Sequence, residues 1–408
     1  MKPIFRNLLG AATAIALMAG CSPQHKTFDM GSYGYDAAFM DSSHIKYIEL
    51  KAPEGGAKIM VVPALQGRVM TSTADGDAGN SFGWINYRFV RAGKKSDQFN
   101  PIGGEERFWI GPEGGANSYY FKKGAEQVYA NWHVPAVIDT ESYDVASRKA
   151  DEVKFTKNTE LTNANGTDFK IGIQRTVRLL DAKTASGILG VDIPSTLKVV
   201  AYQTENTLTN QGDSAWTKAT GLPSIWLLSQ FSPTPTTTVF IPYKEDAEGP
   251  VVNDTYFGKV PADRLVASDG MIRFKIDGKY RSKIGLPGTR SEGLCGSYDT
   301  EKQVLTLLKC TLPEGPADYV NGQWGEQADA FHGDGINAYN DGPVEDGSIM
   351  GPFYEIETSS PGAALAPGQS LTHVQTSVHL QGDPTTIAAL VQKLFHYDLE
   401  KIVGTFRQ

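Results

Sequence analysis

The chain has 408 residues, of which 38 are basic and 46 are acidic, so its formal net charge is −8. This balance argues against nucleic acid as a partner, because phosphate binding requires a basic surface. The length is sufficient to bury a large core, and the 43 glycines and 22 prolines indicate many turns.

The N-terminal segment has the pattern of a secretory signal peptide. Lys2 and Arg6 precede an apolar run over residues 8–18, which is too short to span a bilayer. Cys21 follows an Ala-Gly pair and resembles the cysteine of a bacterial lipobox. That resemblance implies cleavage before Cys21 and lipidation of its thiol. The alternative is an ordinary signal peptide with a coincidental cysteine.

We therefore predict a lipoprotein signal peptide over residues 1–20, a lipid-anchored tether over residues 21–28 and one domain over residues 29–408. The membrane is then a partner through the lipid on Cys21. The serine after this cysteine is similar to that of lipoproteins sorted to the outer membrane. This similarity implies a cell-envelope protein that faces the periplasm.

Strand signals dominate the predicted domain. β-Branched residues and alternating apolar positions mark residues 58–63, 68–72, 171–180, 196–210, 239–242, 271–276, 304–310 and 371–380. Residues 81–90 predict a short helix. The clearest helix begins at Asp383 as N-cap, with Pro384 in the first turn and an apolar stripe up to Ile402. The fold class is therefore all-β, with packed antiparallel sheets and a C-terminal helix on the body.

Residues 100–115 combine glycines with functional side chains. Glu106, Arg107, Trp109 and Glu113 all lie in this segment. Tryptophan faces stack well on sugar rings, and arginine donates a fork of hydrogen bonds to hydroxyls or carboxylates. The alternative is a structural glycine loop with a salt bridge.

Two further clusters contain polar and aromatic residues. Trp132 and His133 are adjacent, although a lone histidine is more often structural than catalytic. Residues 319–343 include His332, Asn340 and Asp341 and are dense in Asn, Asp, Tyr and Trp. Such density is typical of a polyol-binding rim, but a chain of Asx turns or a calcium loop fits the pattern equally well. We predict no metal and no cofactor.

The most informative pair of acids lies near the C-terminus. Glu355 and Glu357 are two residues apart on a strand-like segment, so both point to one face. Two acids on one face are costly if they are buried and unpaired. This face is therefore either exposed to solvent or the base of a binding or catalytic site. On the next strand, His373 and His379 lie opposite the apolar face, and we expect them on the solvent side.

Only two cysteines remain beside Cys21. Cys295 and Cys310 flank a predicted hairpin turn, and a tight turn would place Cys295 opposite Thr306. That register does not bring the two thiols together, and the sequence leaves open whether they pair.

Four segments in order resemble galactose mutarotase-like proteins, the superfamily of the aldose 1-epimerases. Residues 63–72 are similar to their first hairpin, and residues 103–107 to a glycine-rich segment that ends in a substrate-binding arginine. Residues 207–213 are similar to their central turn, and residues 356–368 to the segment that carries the catalytic glutamate. More narrowly, the chain resembles a branch of bacterial lipoproteins catalogued only as a domain of unknown function.

The resemblance implies a β-supersandwich with a concave sugar-binding face. It places Glu357 as the catalytic base and Arg107 on a substrate hydroxyl, with Glu355 as a neighbour that tunes the base. Mutarotation also needs an acid for the ring oxygen. The histidine that epimerases use has no counterpart, since Trp226 stands near its expected position. The candidate acids are then Glu113, His133 and His332.

Three functions stay open. The first is a carbohydrate-active enzyme of epimerase or lyase type. The second is a non-catalytic carbohydrate-binding lipoprotein, with Trp109, Trp132 and Trp226 as stacking platforms. The third is a structural envelope lipoprotein with a vestigial pocket. The candidate ligand contacts shared by the first two are Arg107, Glu106, Trp109, Trp132, Trp226, Asn340, Asp341 and Glu355.

Overall fold

A computed structural model describes residues 27–344 and 346–407, so the predicted signal peptide and Cys21 lie outside the described residues. Within the described residues the chain forms eighteen strands in three antiparallel sheets. This architecture confirms the all-β prediction. The strands are β1 (Ile48–Lys51), β2 (Lys58–Val62), β3 (Arg68–Thr73), β4 (Arg107–Gly111), β5 (Asp144–Arg148), β6 (Glu152–Thr162), β7 (Asp168–Leu180), β8 (Lys198–Asn210), β9 (Ser224–Phe231), β10 (Thr237–Pro242), β11 (Leu265–Ser268), β12 (Met271–Lys275), β13 (Ser282–Pro287), β14 (Leu294–Asp299), β15 (Val304–Cys310), β16 (Asp334–Asn340), β17 (Tyr354–Ser359) and β18 (Ser370–Gln381). The α-helices are α1 (Tyr33–Ser42), α2 (Tyr87–Ala92), α3 (Ala136–Asp139), α4 (Ala182–Leu189), α5 (Pro384–Phe395) and α6 (Leu399–Gly404).

Two of the sheets form a sandwich. The large sheet has ten strands in the order β11-β12-β10-β14-β15-β18-β8-β7-β6-β5, and the medium sheet has five in the order β13-β16-β17-β9-β4. Gln375 on β18 joins them, because its side chain accepts a hydrogen bond from Thr358 at 2.7 Å and donates one to Ser229 at 3.1 Å. The small sheet consists of β1, β2 and β3. The inner face of the medium sheet therefore packs on the large sheet, and its outer face does not take part in the sandwich.

The C-terminal helix begins as predicted. The Asp383 side chain accepts a hydrogen bond from the backbone N–H of Thr386 at 2.8 Å. The predicted stripe is divided into two helices, because His396 adopts a left-handed backbone with φ of 50° between α5 and α6. Both helices pack on the large sheet, where they cover Val378 and Leu380 of β18.

The two histidines of β18 correct a prediction, since both are buried rather than on the solvent side. The medium sheet covers their face of the strand, while the C-terminal helices cover the other. His373 Nε2 lies 2.9 Å from Thr358 Oγ1, and burial lowers the pKa of His373 to about 4. His379 Nε2 lies 2.9 Å from Glu105 Oε1, and its ring stacks on Phe82.

Two local predictions also need correction. Helix α2 covers only Tyr87–Ala92, whereas residues 81–86 are extended and form bridges to neighbouring segments. The predicted hairpin exists, but Cys295 pairs with Leu308 in the ladder rather than with Thr306. Cys295 and Cys310 are both free thiols.

A buried ion pair lies between the sheets. Glu106 and Arg175 are 2.9 Å apart, and both side chains are 0% exposed. Arg175 also donates to Asn206 at 2.5 Å, and Gln375 donates to the second oxygen of Glu106 at 2.8 Å. Charges survive in an interior only when they have such partners. Glu106, expected among the ligand contacts, is therefore engaged inside the sandwich and does not lie on the outer face of the medium sheet.

This ion pair leads to a prediction about stability. Arg175→Met leaves the carboxylate of Glu106 buried without its charge partner, so we expect the free energy of unfolding to fall by about 3–5 kcal/mol. The double variant Glu106→Gln/Arg175→Met removes the uncompensated charge and is expected to be more stable than Arg175→Met alone. Urea denaturation of the unsubstituted protein, Arg175→Met and the double variant measures the three free energies of unfolding.

The control for Arg175→Met is Lys198→Met, which removes an exposed ion pair with Asp75. Such surface pairs contribute roughly 0–1 kcal/mol. A double variant that is as unstable as Arg175→Met would contradict the prediction.

Candidate functional site

The outer face of the medium sheet carries a continuous set of polar and aromatic side chains. Directly opposed residues in neighbouring antiparallel strands share a face, and so do residues two apart in one strand. The ladder pairs Lys283 with Tyr339, Tyr339 with Glu355 and Glu355 with Gln230. We call this surface the polar face. Its members include Arg107, Trp109, Trp226, Gln230, Lys283, Asn337, Tyr339, Glu355 and Glu357.

Glu357 lies at the centre of the polar face and is 0% exposed. Lys283 Nζ lies 3.0 Å and 2.9 Å from its two carboxylate oxygens, and Trp226 Nε1 donates to Oε2 at 2.8 Å. A buried carboxylate without donors would be strongly unfavourable. Lys283 and Trp226 therefore provide the charge and the hydrogen bonds that a buried carboxyl group requires.

Lys283 is enclosed on several sides. Its ammonium lies 5.0 Å from the centre of the Trp226 ring and 5.4 Å from that of Tyr256, in cation–π contact with both. Burial lowers the pKa of Lys283, but the charges of Glu357 and Glu113 outweigh it, so the pKa is raised overall. Lys283 is therefore a protonated cation at neutral pH, and two carboxylates act on it.

Glu355 occupies the next position on the same face, as predicted from strand alternation. It forms a buried ion pair with Arg107, whose guanidinium also lies 5.1 Å from the Trp109 ring centre. Burial raises the pKa of Glu355 to about 7; Arg107 opposes that shift, and the charge of Glu357 adds to it. Arg107, expected to hold a substrate hydroxyl, is therefore engaged with Glu355.

Glu113 approaches from the loop after β4. Burial raises its pKa to about 7; Lys283 lowers this pKa, and Glu357 raises it further. Glu113 lines a pocket of about 40 Å³ beside the polar face. The polar and aromatic residues around this pocket are Glu113, Ser224, Trp226, Tyr256, Lys283, Asp334, Asn337 and Ser359.

The structure also shows residues that sequence reasoning missed. Lys283 and Tyr256 had no motif to mark them. Asp334 and Asn337 belong to β16, in the segment whose composition is typical of a polyol-binding rim but fits turns or a calcium loop equally well, so neither was singled out. Tyr256 donates to Asp334, and Asn337 Nδ2 lies 3.2 Å from Asp334 Oδ2. The pairing of β13, β16 and β17 brings Lys283 and Asn337 to Glu357, and no local signal reports that pairing.

The other predicted acids and contacts lie elsewhere. His133 and His332 are exposed, and neither lines the pocket. The side chain of Asn340 is used on Gly278, Asp277 and Tyr280, while that of Asp341 accepts from Tyr339 and Gly351. Asn340 and Asp341 therefore hold the loops around the face. Of the candidate acids, Glu113 alone joins Glu357.

The predicted stacking platforms form one aromatic cluster. Trp109 lies 5.5 Å from Trp226 and 6.5 Å from Trp132 between ring centres. Their exposures are only 4%, 8% and 7% for Trp109, Trp226 and Trp132. None of the three indoles presents a broad free face, so their role in this structure is to build the wall of the site.

Two searches of the described residues concern metals and membranes. No group of three or more His, Cys, Asp or Glu side chains in residues 27–344 and 346–407 is arranged to hold a metal ion. In the same part of the chain, no helix combines the length and apolarity needed to cross a bilayer.

Solved structures with a similar fold include proteins of the superfamily that the sequence resembles. A galactose mutarotase-like protein from Lactobacillus casei is 11% identical over 82% of this chain and 100% of its own, with a TM-score of 0.48. The Slr1438 protein from Synechocystis is 12% identical over 83% and 96%, with a TM-score of 0.51. A galactose mutarotase related enzyme from Lactobacillus acidophilus is 9% identical over 83% and 98%, with a TM-score of 0.44. At these identities the similarity concerns the fold alone.

A search of the curated proteins finds no match. One protein-family model matches residues 31–406, and it describes a "Family of unknown function (DUF6786)". This agrees with the branch that the sequence motifs suggested. Because the match covers nearly all of the predicted domain, the chain belongs to the family of unknown function DUF6786.

Proposed function

We propose that the polar face binds a saccharide and performs acid–base chemistry of the aldose 1-epimerase type. One observation carries this proposal: Glu113, with a pKa raised to about 7, lines one pocket together with Lys283, and the ammonium of Lys283 contacts both carboxylate oxygens of the buried Glu357. Two carboxyl groups whose environments differ in this way suit separate acid and base roles.

The proposed reaction opens and recloses a sugar ring. Glu357 accepts the proton of the anomeric hydroxyl as the bond between the anomeric carbon and the ring oxygen breaks. Glu113, protonated in part at neutral pH, gives its proton to that ring oxygen. Rotation of the free aldehyde and the reverse transfers return both protons and yield the other anomer. Glu357 accepts a proton only when the substrate hydroxyl displaces Lys283 from its carboxylate.

The pocket limits how a sugar sits. A volume of about 40 Å³ holds at most a few water molecules, which need roughly 10–15 Å³ each, and is far below the roughly 300–1,000 Å³ of typical ligand pockets. The pocket therefore accepts a hydroxyl group, and the ring lies at its mouth unless the Lys283 side chain moves. In this arrangement Trp226 and Tyr256 contact the sugar from the pocket side.

A second candidate function is carbohydrate binding without turnover. The observation that favours it is the occupation of Glu357, whose two oxygens are both engaged by Lys283 while Trp226 donates to one of them. If Lys283 stays in place, Glu357 organises the site but accepts no proton. The same polar face then serves as a binding surface.

For the location of the protein, we propose anchoring in the cell envelope through lipid on Cys21. The support is the lipobox-like sequence around Cys21 and the preceding charged and apolar segments. The domain would then face the periplasm from the outer membrane.

The central prediction concerns anomer exchange. We expect calorimetry with a panel of mono- and oligosaccharides to find a ligand, and NMR exchange spectroscopy to detect catalysed interconversion of its anomers. Glu357→Gln and Glu113→Gln are each expected to reduce that rate by a factor of about 10²–10⁴, the usual contribution of an acid or a base. Saccharide binding is expected to remain measurable in both variants.

The matched control for these variants is Glu126→Gln, an exposed glutamate on a nearby loop, which should leave the exchange rate unchanged. Binding without turnover in every protein would favour the second candidate function. A panel without any ligand would contradict both.

The raised pKa of Glu113 makes stability depend on pH. The folded state holds this proton more tightly than the unfolded state, in which the pKa is near 4.5. The stabilising contribution is therefore present below pH 4.5 and is lost as pH rises through about 7. We expect Glu113→Gln to remove about 3 kcal/mol of the decline in unfolding free energy across this interval. Urea denaturation of both proteins at pH 4.5 and 7.5 measures the decline in unfolding free energy. The same decline in Glu113→Gln as in the unsubstituted protein would refute the raised pKa of Glu113.

Lipidation is tested with the full-length chain produced in a bacterial host. We expect mass spectrometry of the mature N-terminal peptide to show a lipid-modified Cys21, and the protein to fractionate with membranes. Cys21→Ser should remove the protein from the membrane fraction, whereas Cys310→Ser should leave it there. An unmodified Cys21 in a membrane-free protein would contradict this prediction.

A further inference from the structure

We propose that the ligand of this site is an oligosaccharide, with a second sugar stacked on an aromatic ledge beside the pocket. The aromatic ledge consists of Tyr129, Trp132 and Trp324. This inference rests on the proposed function, because it extends the same polar face. It adds the chain length of the ligand and the residue that recognises the second sugar.

Tyr129 provides the exposed surface of the ledge. Its side chain is 59% exposed, and its ring centre lies 5.9 Å from that of Trp132, with 22° between the planes. Trp324 lies on the same cluster, 6.1 Å from Trp132 at 28°. One face of the tyrosine ring is therefore supported by an indole while the other faces solvent. A supported aromatic face matches the apolar C–H face of a sugar ring.

The ledge is held rigidly beside Glu113. Gln127 Oε1 accepts hydrogen bonds from the backbone N–H groups of Gly115 and Gly325, both at 2.8 Å, and its Nε2 donates to Gly115 O at 2.7 Å. Gly114 lies so close to the next loop that a Cβ there would be 2.2 Å from the carbonyl oxygen of Gln323. The three loops that carry Glu113, Tyr129 and Trp324 are thus joined, so little ordering is needed when a ligand binds.

Unused hydrogen-bonding capacity points toward a ligand. Trp109 Nε1 is buried and has no hydrogen-bond partner among the described residues. Trp132 and Trp324 instead have Glu113 as a nearby acceptor, and this contact lowers the pKa of its carboxyl against the larger effect of burial. Buried donors without acceptors are rare in native proteins. A sugar hydroxyl at the junction of pocket and ledge would supply an acceptor for Trp109.

The sizes of pocket and ledge favour an extended ligand. The pocket is too small for a whole sugar ring, and the exposed ring of Tyr129 lies outside it. A monosaccharide at the pocket mouth leaves this ring bare. A chain of two or more sugars contacts both features at once, and the second contact adds affinity at small entropic cost because the ledge is already ordered.

The test is calorimetry of the intact protein with glucose, galactose, xylose and N-acetylglucosamine and with their β-1,4- and α-1,4-linked oligomers of up to four units. We expect affinity to rise from one unit to two or three units. Tyr129→Ala should lower the ratio of oligosaccharide affinity to monosaccharide affinity by about tenfold. Tyr129→Phe keeps the ring and should retain the ratio.

Tyr280→Ala is the matched control, because Tyr280 is also exposed and precedes β13, at the edge of the medium sheet opposite β4. It should leave the ratio unchanged, and circular dichroism verifies that every variant is folded. Equal affinities for one and four units, or a ratio unaffected by Tyr129→Ala, would overturn the ledge while the proposed function stands. The absence of binding to any member of the panel would overturn both.

Discussion

The site depends on one constraint: a carboxylate that has no contact with water must receive its donors from the protein. Glu357 is 0% exposed, and Lys283 and Trp226 meet this requirement. The neighbouring side chains are arranged around these two donors. Lys283 is enclosed by aromatic rings, Glu113 approaches it from a loop, and Glu355 pairs with Arg107 one step along the sheet. The polar face is therefore a network of compensated charges, in which Lys283 contacts both carboxylate oxygens of Glu357.

The network also explains how one sheet serves two purposes. The inner face of the medium sheet packs on the large sheet through Thr358 and Gln375, and the interior holds its own ion pair of Glu106 and Arg175. The outer face carries acids of the same strand, and alternation assigns each residue to one side. Glu355 and Glu357 lie on the polar face, while Ile356 between them belongs to the core. The interior supports the geometry of the polar face.

Part of this arrangement could be predicted from the sequence, for reasons of local geometry. The shared face of Glu355 and Glu357 follows from the strand period, and the N-cap at Asp383 follows from local hydrogen bonding. His373 and His379 were placed wrongly because alternation identifies two faces of a strand but not what covers each. Lys283 was missed because it meets Glu357 across 74 residues of chain, through the pairing of β13 with β16 and of β16 with β17. Contacts of that kind depend on the whole topology, and a single sequence carries no local record of them.

Binding of a saccharide at the polar face is the central claim. The indole N–H signals of the six tryptophans report directly on such binding. In an NMR titration with a saccharide ligand, we predict that the signals of Trp226, Trp132 and Trp324 shift, because these rings surround the pocket and the ledge. Trp216, which packs on Phe169 in the core, should stay unchanged. Saturable shifts of Trp216 alone, with Trp226, Trp132 and Trp324 unmoved, would place the ligand elsewhere and contradict the account.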